Sequence, residues 1–196
     1  MNYFEAIKTR RSHYNISKES SLTDQELQQL LKDALLYTPS SFNSHSGRTV
    51  LLLNEHHDKL WSIVMETLRK IVPADKFSAT EEKINSFAAG YGTVLFYEDM
   101  AVVKGLQEQF PLYAENFSMW SNHSAGMLQY VVWTGLAQSG VGASLQHYNP
   151  LIDEEVKRTF NIPDSWKLIA QMPFGNKTEE LESKTDNIDN HLMVFK

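Results

Sequence analysis

The stretch from Ser118 to Gly142, SMWSNHSAGMLQYVVWTGLAQSGVG, contains no Pro and no Asp, Glu, Lys or Arg. Its apolar residues leave no wide polar face, which predicts a helix from Ser118 to about Ser139. Roughly 20 residues at 1.5 Å rise make a rod of about 30 Å, the width of a small domain. A helix of that length facing solvent needs a charged side. Lacking one, this segment is expected to be covered all round, by its own chain or by a partner. A membrane span is the rival reading. Asn122, His123, Gln129 and Gln138 argue against it, because lipid gives polar groups no water.

The remainder must supply a core for that rod. The chain has 196 residues, a hydrophobic fraction of 42 %, 4 Trp, 8 Tyr and 10 Phe, which suits a single domain spanning 1–196. The net charge of −6 argues against a non-specific nucleic-acid binder but leaves room for a local basic site for a small anion. Cys is absent, which excludes disulfides, Cys-ligated iron–sulfur and zinc sites, and a cysteine nucleophile. The opening MNYFEAIKTRRS has no long apolar run before a small-residue cleavage site. No signal peptide is read there, and a cytoplasmic location is expected.

In chain order, Asn2 to Thr9 predicts a short helix with Phe4 and Ile7 on its apolar side. It runs into Arg10-Arg11-Ser12, which suits either a phosphate, through charge-assisted bonds, or a solvated surface pair. Thr23 with Glu26 fits a capping box ahead of the stripe Leu27, Leu30, Leu31, Ala34 and Leu35, and Pro39 ends that helix. The polar loop Thr38 to Arg48 opens into a strand at Thr49–Leu53, a setting either for a ligand or for a turn held by Ser and Asn side chains. His57 to Val72 reads as a helix, with His56 and His57 as surface residues rather than metal ligands. Ala79–Gly90 and Met100–Phe110 read as helices and Gly92–Tyr97 as a strand. Gly140 to Leu145 reads as a short strand, Pro150 as the opening of a helix through Phe160, and Trp166–Met172 as the last core strand with PFG as a turn after it. Thr178 to Asn190 is polar. His191–Lys196 is apolar again and suits pairing with a sheet edge, such as that of a second subunit.

Four or five short strands among long helices indicate an α+β or mixed α/β fold. The dinucleotide fingerprint GxGxxG does not follow the first strand, and GxxxxGK[ST], HExxH and GxSxG are absent. No metal site is expected.

Several segments, taken in order, resemble the nitroreductase family of FMN-dependent oxidoreductases. They are Ile7-Lys-Thr-Arg-Arg-Ser12, Pro39-Ser-Ser-Phe-Asn43, Asn122-His-Ser-Ala-Gly-Met127 and Gly140-Val-Gly-Ala143, with Gly142-Ala-Ser-Leu-Gln-His-Tyr-Asn149 pointing to the compact subfamily of fungal fatty-acid-regulated homologues and their bacterial counterparts. The resemblance implies an α+β fold: a mostly antiparallel central sheet flanked by helices, a long buried central helix, and an intertwined homodimer with FMN at the interface. By position, Arg10 and Ser12 would contact the FMN phosphate or ribityl chain, with Arg11 beside them. Ser40, Ser41 and Asn43 would line the flavin from the partner loop. Gly142, Ala143 and Ser144 would lie near the isoalloxazine edge, and Lys184 near the phosphate. Tyr14 and Asp186 stand where the family has basic residues, which shifts the expected anchoring to Arg10, Arg11 and Arg48. His45-Ser46-Gly47 replaces the family's Gln-Pro-Trp run.

The implied activity is ping-pong hydride transfer from NADH or NADPH, through FMN, to nitroaromatic or quinone acceptors, without a side-chain nucleophile. Trp120, Phe117 and Tyr113 are candidates for the substrate wall or for packing. The alternatives are a flavin-binding sensing module with little turnover and a non-flavin structural dimer.

Overall fold

The computed structural model describes residues 2–195, with Asn190 described by its backbone alone. Helix α1 (Tyr3–Thr9) is closed by a capping box between Asn2 and Glu5, and α2 (Asp24–Tyr37) by one between Thr23 and Glu26. Thr38 ends α2 at ψ 124, the extended backbone required before Pro39. Then follow β1 (Gly47–Leu53), α3 (Asn54–Arg69), α4 (Phe77–Ala88), β2 (Gly92–Asp99), α5 (Met100–Gln109), α6 (Ala114–Gln138), β3 (Val141–Ala143), α7 (Asp153–Phe160) and β4 (Trp166–Asn176). The strands form one sheet in the order β1-β2-β4-β3, antiparallel at every pairing. The fold is α+β, as expected.

Both faces of the sheet are covered, which explains why GTVLFY reads as an unbroken apolar run. Val94 and Phe96 of β2 point into a core built with Leu27 and Leu31 of α2 and Leu128, Val132 and Leu136 of α6. Leu95 and Tyr97 point into a second core with Leu60, Trp61 and Val64 of α3, Phe87 of α4 and Val156 of α7. The β2–β4 register shifts between Phe96 and Tyr97. That bulge lets Leu168 join the second core while Ala170, Met172 and Phe174 join the first.

Helix α6 starts a turn before the expected boundary and is covered on one side only. Met119, Met127, Tyr130 and Val131 remain 50 %, 41 %, 37 % and 41 % exposed, in line with exposed His123 and Gly126. Cover all round is therefore not supplied by the chain itself.

Other expectations are corrected. PFG is not a turn: Pro173-Phe174-Gly175 continues β4. The Pro173 carbonyl accepts from the Ser144 amide on the β3 side, so its missing N–H falls past the end of short β3 and leaves the β2 ladder intact. Pro150 follows a cis bond in a turn, and α7 begins only at Asp153. Phe4 is 69 % exposed, and Ala6 is the residue α1 buries. Leu192 to Phe195 is exposed and unpaired with its own sheet, which bears on this chain alone and not on the edge of a second subunit, while Lys196 lies outside the described residues. The expected absence of a metal site concerns chemistry the fold leaves untested; among the described residues no helix is long and apolar enough to cross a membrane.

His57 is not a surface residue; it is 1 % exposed. Its Nε2 lies 3.2 Å from the Ala88 carbonyl, which fixes the proton there, and Nδ1 accepts from the Thr93 hydroxyl at 2.9 Å. That hydroxyl in turn accepts from Trp61 Nε1 at 3.0 Å. Burial holds the imidazole below its ordinary 6.5, against a smaller opposing pull from the Ala88 carbonyl. A histidine kept neutral contributes stability that is complete above its unfolded pKa and is lost as pH falls toward the folded value. Urea midpoints should drop as pH falls below about 6.5, less steeply in His57→Gln. That variant should also lose about 1–3 kcal/mol at neutral pH, from the disrupted Thr93 network.

Candidate functional site

The segment after α1 is laid against the end of the sheet by its backbone. Ser12 bridges Ala143, and the His13 amide donates to the Ala143 carbonyl at 3.0 Å. Ser17 N–H donates to Asn176 O at 3.0 Å, Asn176 N–H to Glu19 O at 2.7 Å, and Thr178 N–H to Asn15 O at 3.2 Å. A Cβ on Gly175 would lie 2.1 Å from the Ser17 carbonyl oxygen, so only glycine admits this approach.

The arrangement leaves a cavity of about 600 Å³ whose walls include Lys8, Arg10, Arg11, His13, Lys177 and Lys184. Among the lining residues the opposing charge is Glu180, which pairs with Lys177 at 3.2 Å. The Arg10 guanidinium lies 4.4 Å over the Trp133 ring of α6, and its buried Nε has no hydrogen-bond partner. Arg11 Nη1 donates to the Glu182 carbonyl at 2.5 Å. His13 is buried with Nδ1 unpartnered; burial first, then Lys177 and Arg11, hold it below its ordinary value, against the opposing Glu180 and Glu179. Convergent cations with unspent donors make an anion-binding surface.

A second feature lies at the other end of α6. In the loop between α2 and β1, Phe42, Asn43 and His45 have φ of 55, 50 and 46, conformations a bulky side chain adopts only under constraint. The constraint is an aromatic box: the Phe42 ring centroid lies 4.9 Å from Phe110, 5.1 Å from Phe117, and 6.1 Å from Tyr113 and from Trp120, nearly parallel to the last at 19°. The Ser40 hydroxyl accepts from the His45 amide at 3.0 Å, and the Ser41 amide reaches Ser124 Oγ of α6 at 3.4 Å.

The residues singled out from sequence therefore fall into two groups. Arg10, Arg11 and Lys184 line the cationic cavity, and Ser12 and Ala143 meet in a bridge beside it. Gly142 packs so closely that a Cβ would lie 2.8 Å from Lys177 Cγ and 3.1 Å from His13 Cβ. Ser144 is buried, its amide committed to Pro173 and its hydroxyl to Gln146 Nε2 at 3.0 Å. Ser40, Ser41 and Asn43 sit in the distant loop, where Asn43 is exposed. Arg48 does not join the cavity. It pairs with Asp99 at 3.0 Å, donates to the His45 and Gly47 carbonyls, and lies 5.8 Å from the Trp166 ring. Tyr14 packs on Phe87 instead, at 5.6 Å. Sequence reasoning missed His13 and Lys177. His13 directly follows the Arg-Arg-Ser motif, but its partner Lys177 enters only through the continuation of β4.

A sequence model of the nitroreductase family matches residues 7–176. Nitroreductase FRM2 of Saccharomyces cerevisiae is 31 % identical over 196 residues, covering 99 % of this chain and 97 % of its own. Nitroreductase CinD of Lactococcus lactis, in complex with chloramphenicol, is 40 % identical with a TM-score of 0.88 and full coverage of both chains; its 4-nitrophenol complex is 41 % identical at the same score. An FMN-bound nitroreductase from Desulfitobacterium hafniense shares the fold, at 15 % identity, TM-score 0.73 and full coverage of both chains.

An anion in the cavity favours the imidazolium form of His13. Affinity for sulfate, whose charge is constant over the range, should rise as pH falls below about 6.5 toward the depressed pKa of His13. Titration calorimetry should find that pH dependence flattened in His13→Gln.

Proposed function

This chain belongs to the nitroreductase family, and on that premise we propose that it is a cytoplasmic FMN-dependent oxidoreductase, folded as one domain over 1–196 and working as a homodimer. NADH or NADPH is the donor, and nitroaromatic or quinone-type compounds are the acceptors. The reading is carried by the convergence of Arg10, Arg11, Lys177 and Lys184 on a single cavity. Its volume of about 600 Å³ is within the range for cofactor pockets.

The residues present fit FMN. Arg10 Nε and His13 Nδ1 are buried donors or acceptors without a partner, as expected of groups awaiting a ligand. Arg10, Arg11 and Lys184 would hold the phosphate, with Ser12 beside them. Gly142 keeps the floor next to His13 free of a side chain. When bound, FMN would supply the ring chemistry that passes a hydride from the nicotinamide to the acceptor, in ping-pong order. The chain's own contribution is placement. Trp133 stacks under Arg10 and fixes the guanidinium, while the Ser12–Ala143 bridge fixes the backbone between them.

The homodimer is supported by the exposed apolar stripe of α6 and by the exposed tail from Leu192 to Phe195. It also accounts for Ser40, Ser41 and Asn43, which do not line the cationic cavity of their own chain. In the dimer they would line the flavin site of the other chain. The aromatic box around Phe42 gives planar acceptors a stacking surface, and the 4-nitrophenol complex of CinD supports a nitroaromatic.

The purified protein should be yellow, or become so with FMN, and should oxidise NAD(P)H with a nitroaromatic or quinone. A colourless product that takes up no flavin would refute the reading, and flavin binding with negligible turnover would favour a sensing module. Arg10→Ala should weaken FMN binding by about 2–5 kcal/mol in a fluorescence titration, the loss expected for a buried charge-assisted contact. Sedimentation at micromolar concentration should give a dimer; a stable monomer would remove the interface assigned to α6.

A further inference from the structure

Side chains alternate along β2, so Val94, Phe96 and Glu98 share one face. The first two join the core against α6. The third places a carboxyl at 1 % exposure under the loop between α2 and β1. Neither Glu98 oxygen has a hydrogen-bond partner, and neither has the buried Thr38 hydroxyl. Both residues line one small cavity of about 20 Å³, together with Ser40, His45 and Ser124. A single water needs about 10–15 Å³ and two to four polar partners. Two orphaned groups on one such cavity satisfy both conditions.

The charged groups near Glu98 do not occupy it. Arg48 on β1 spends its guanidinium on Asp99 and on the His45 and Gly47 carbonyls. Asp99 is engaged in the same pair, and His45 is exposed at the loop. The cavity walls contributed by α2 and α6 are Leu35, Ser124 and Leu128, without charge. Burial pushes the carboxyl above its ordinary range; the neighbouring Ser46 hydroxyl, which lies outside hydrogen-bond geometry to it, and Arg48 pull it back only in part, and Asp99 adds to the rise.

We propose that this cavity holds one water shared by the Glu98 carboxyl and the Thr38 hydroxyl, and that Glu98 is thereby a positioning residue for the loop carrying Ser40, Ser41 and Asn43. As a neutral acid, Glu98 donates its O–H to the water. The water donates to Thr38 Oγ1 and to the Ser40 hydroxyl, which already accepts the His45 amide. The purpose of the loop, flavin contact, rests on the function proposed above; the water site does not.

Amide hydrogen exchange on the flavin-free protein tests the site separately from that function. Thr38→Val and Glu98→Ala should each speed exchange of the Asn43 and His45 amides about tenfold, the factor for one lost buried hydrogen bond. Glu98→Gln, a neutral isostere, should restore most of the protection. In the wild type, protection should be complete below the ordinary glutamate range and be lost as pH rises through the raised pKa of Glu98, beyond the intrinsic rate increase; Glu98→Gln should abolish that dependence. A crystal structure should place a water between Glu98 and Thr38. Unchanged exchange in Thr38→Val, which does not depend on Glu98→Ala folding, would overturn the proposal. So would a dry cavity, or a Glu98→Gln variant as unprotected as Glu98→Ala. A protein that binds no flavin yet shows the predicted exchange pattern would leave the site standing.

Discussion

The cationic cavity depends on the backbone bonds that fasten residues 12–19 to the end of the sheet. They run from His13 to Ala143, from Ser17 and Glu19 to Asn176, and from Asn15 to Thr178. Each contributes only about 0.5–1.5 kcal/mol, but together they fix the path of the chain without using a charged side chain. Arg10 is therefore placed by backbone and by Trp133, not by a carboxylate that would neutralise it. The Gly175 contact with Ser17 is the tightest point of this junction. A side chain there would separate the segment from β4 and open the wall that carries His13.

Helix α6 has two unlike faces. Its inner face carries Leu128, Val132 and Leu136 into the core over β2 and β4. Its outer face leaves Met119, Met127, Tyr130 and Val131 exposed in a row. An apolar helix without charge looks the same in sequence whether its second cover is its own chain or another. That is why residue pattern identified the rod and its approximate length, while the side left bare emerged only from the packing.

Local chemistry was legible wherever it is decided within a few residues. The Thr23–Glu26 box and the stop before Pro39 both follow from short-range rules. The residues that escaped are those whose surroundings come from far along the chain. His57 looks like one of two surface histidines until β2 brings Thr93 against it. Pro173 looks like a strand terminator until the shortness of β3 makes its missing donor harmless. Glu98 ends an apolar run like any solvent-facing carboxylate, but alternation and the overlying loop turn it inward. For the candidate site, the family resemblance pointed to Arg10, Arg11 and Lys184, whereas Lys177 and His13 required the junction itself.

The geometry of α6 also bears on how the two groups of candidate residues could serve one ligand. The anion cavity is anchored at Trp133, and the Ser40–Asn43 loop touches the helix at Ser124. From Ser124 to Trp133 the rise is about 14 Å along the axis. Within one chain, the two groups thus face different cavities at separate levels of the rod. A two-fold axis crossing the exposed stripe would run the second α6 in the opposite sense. The loop level of one chain would then lie against the anchor level of the other, once on each side of the axis. On this reasoning the proposed dimer would complete each flavin site, and the bare face of α6 would then belong to the site's construction as well as to the interface.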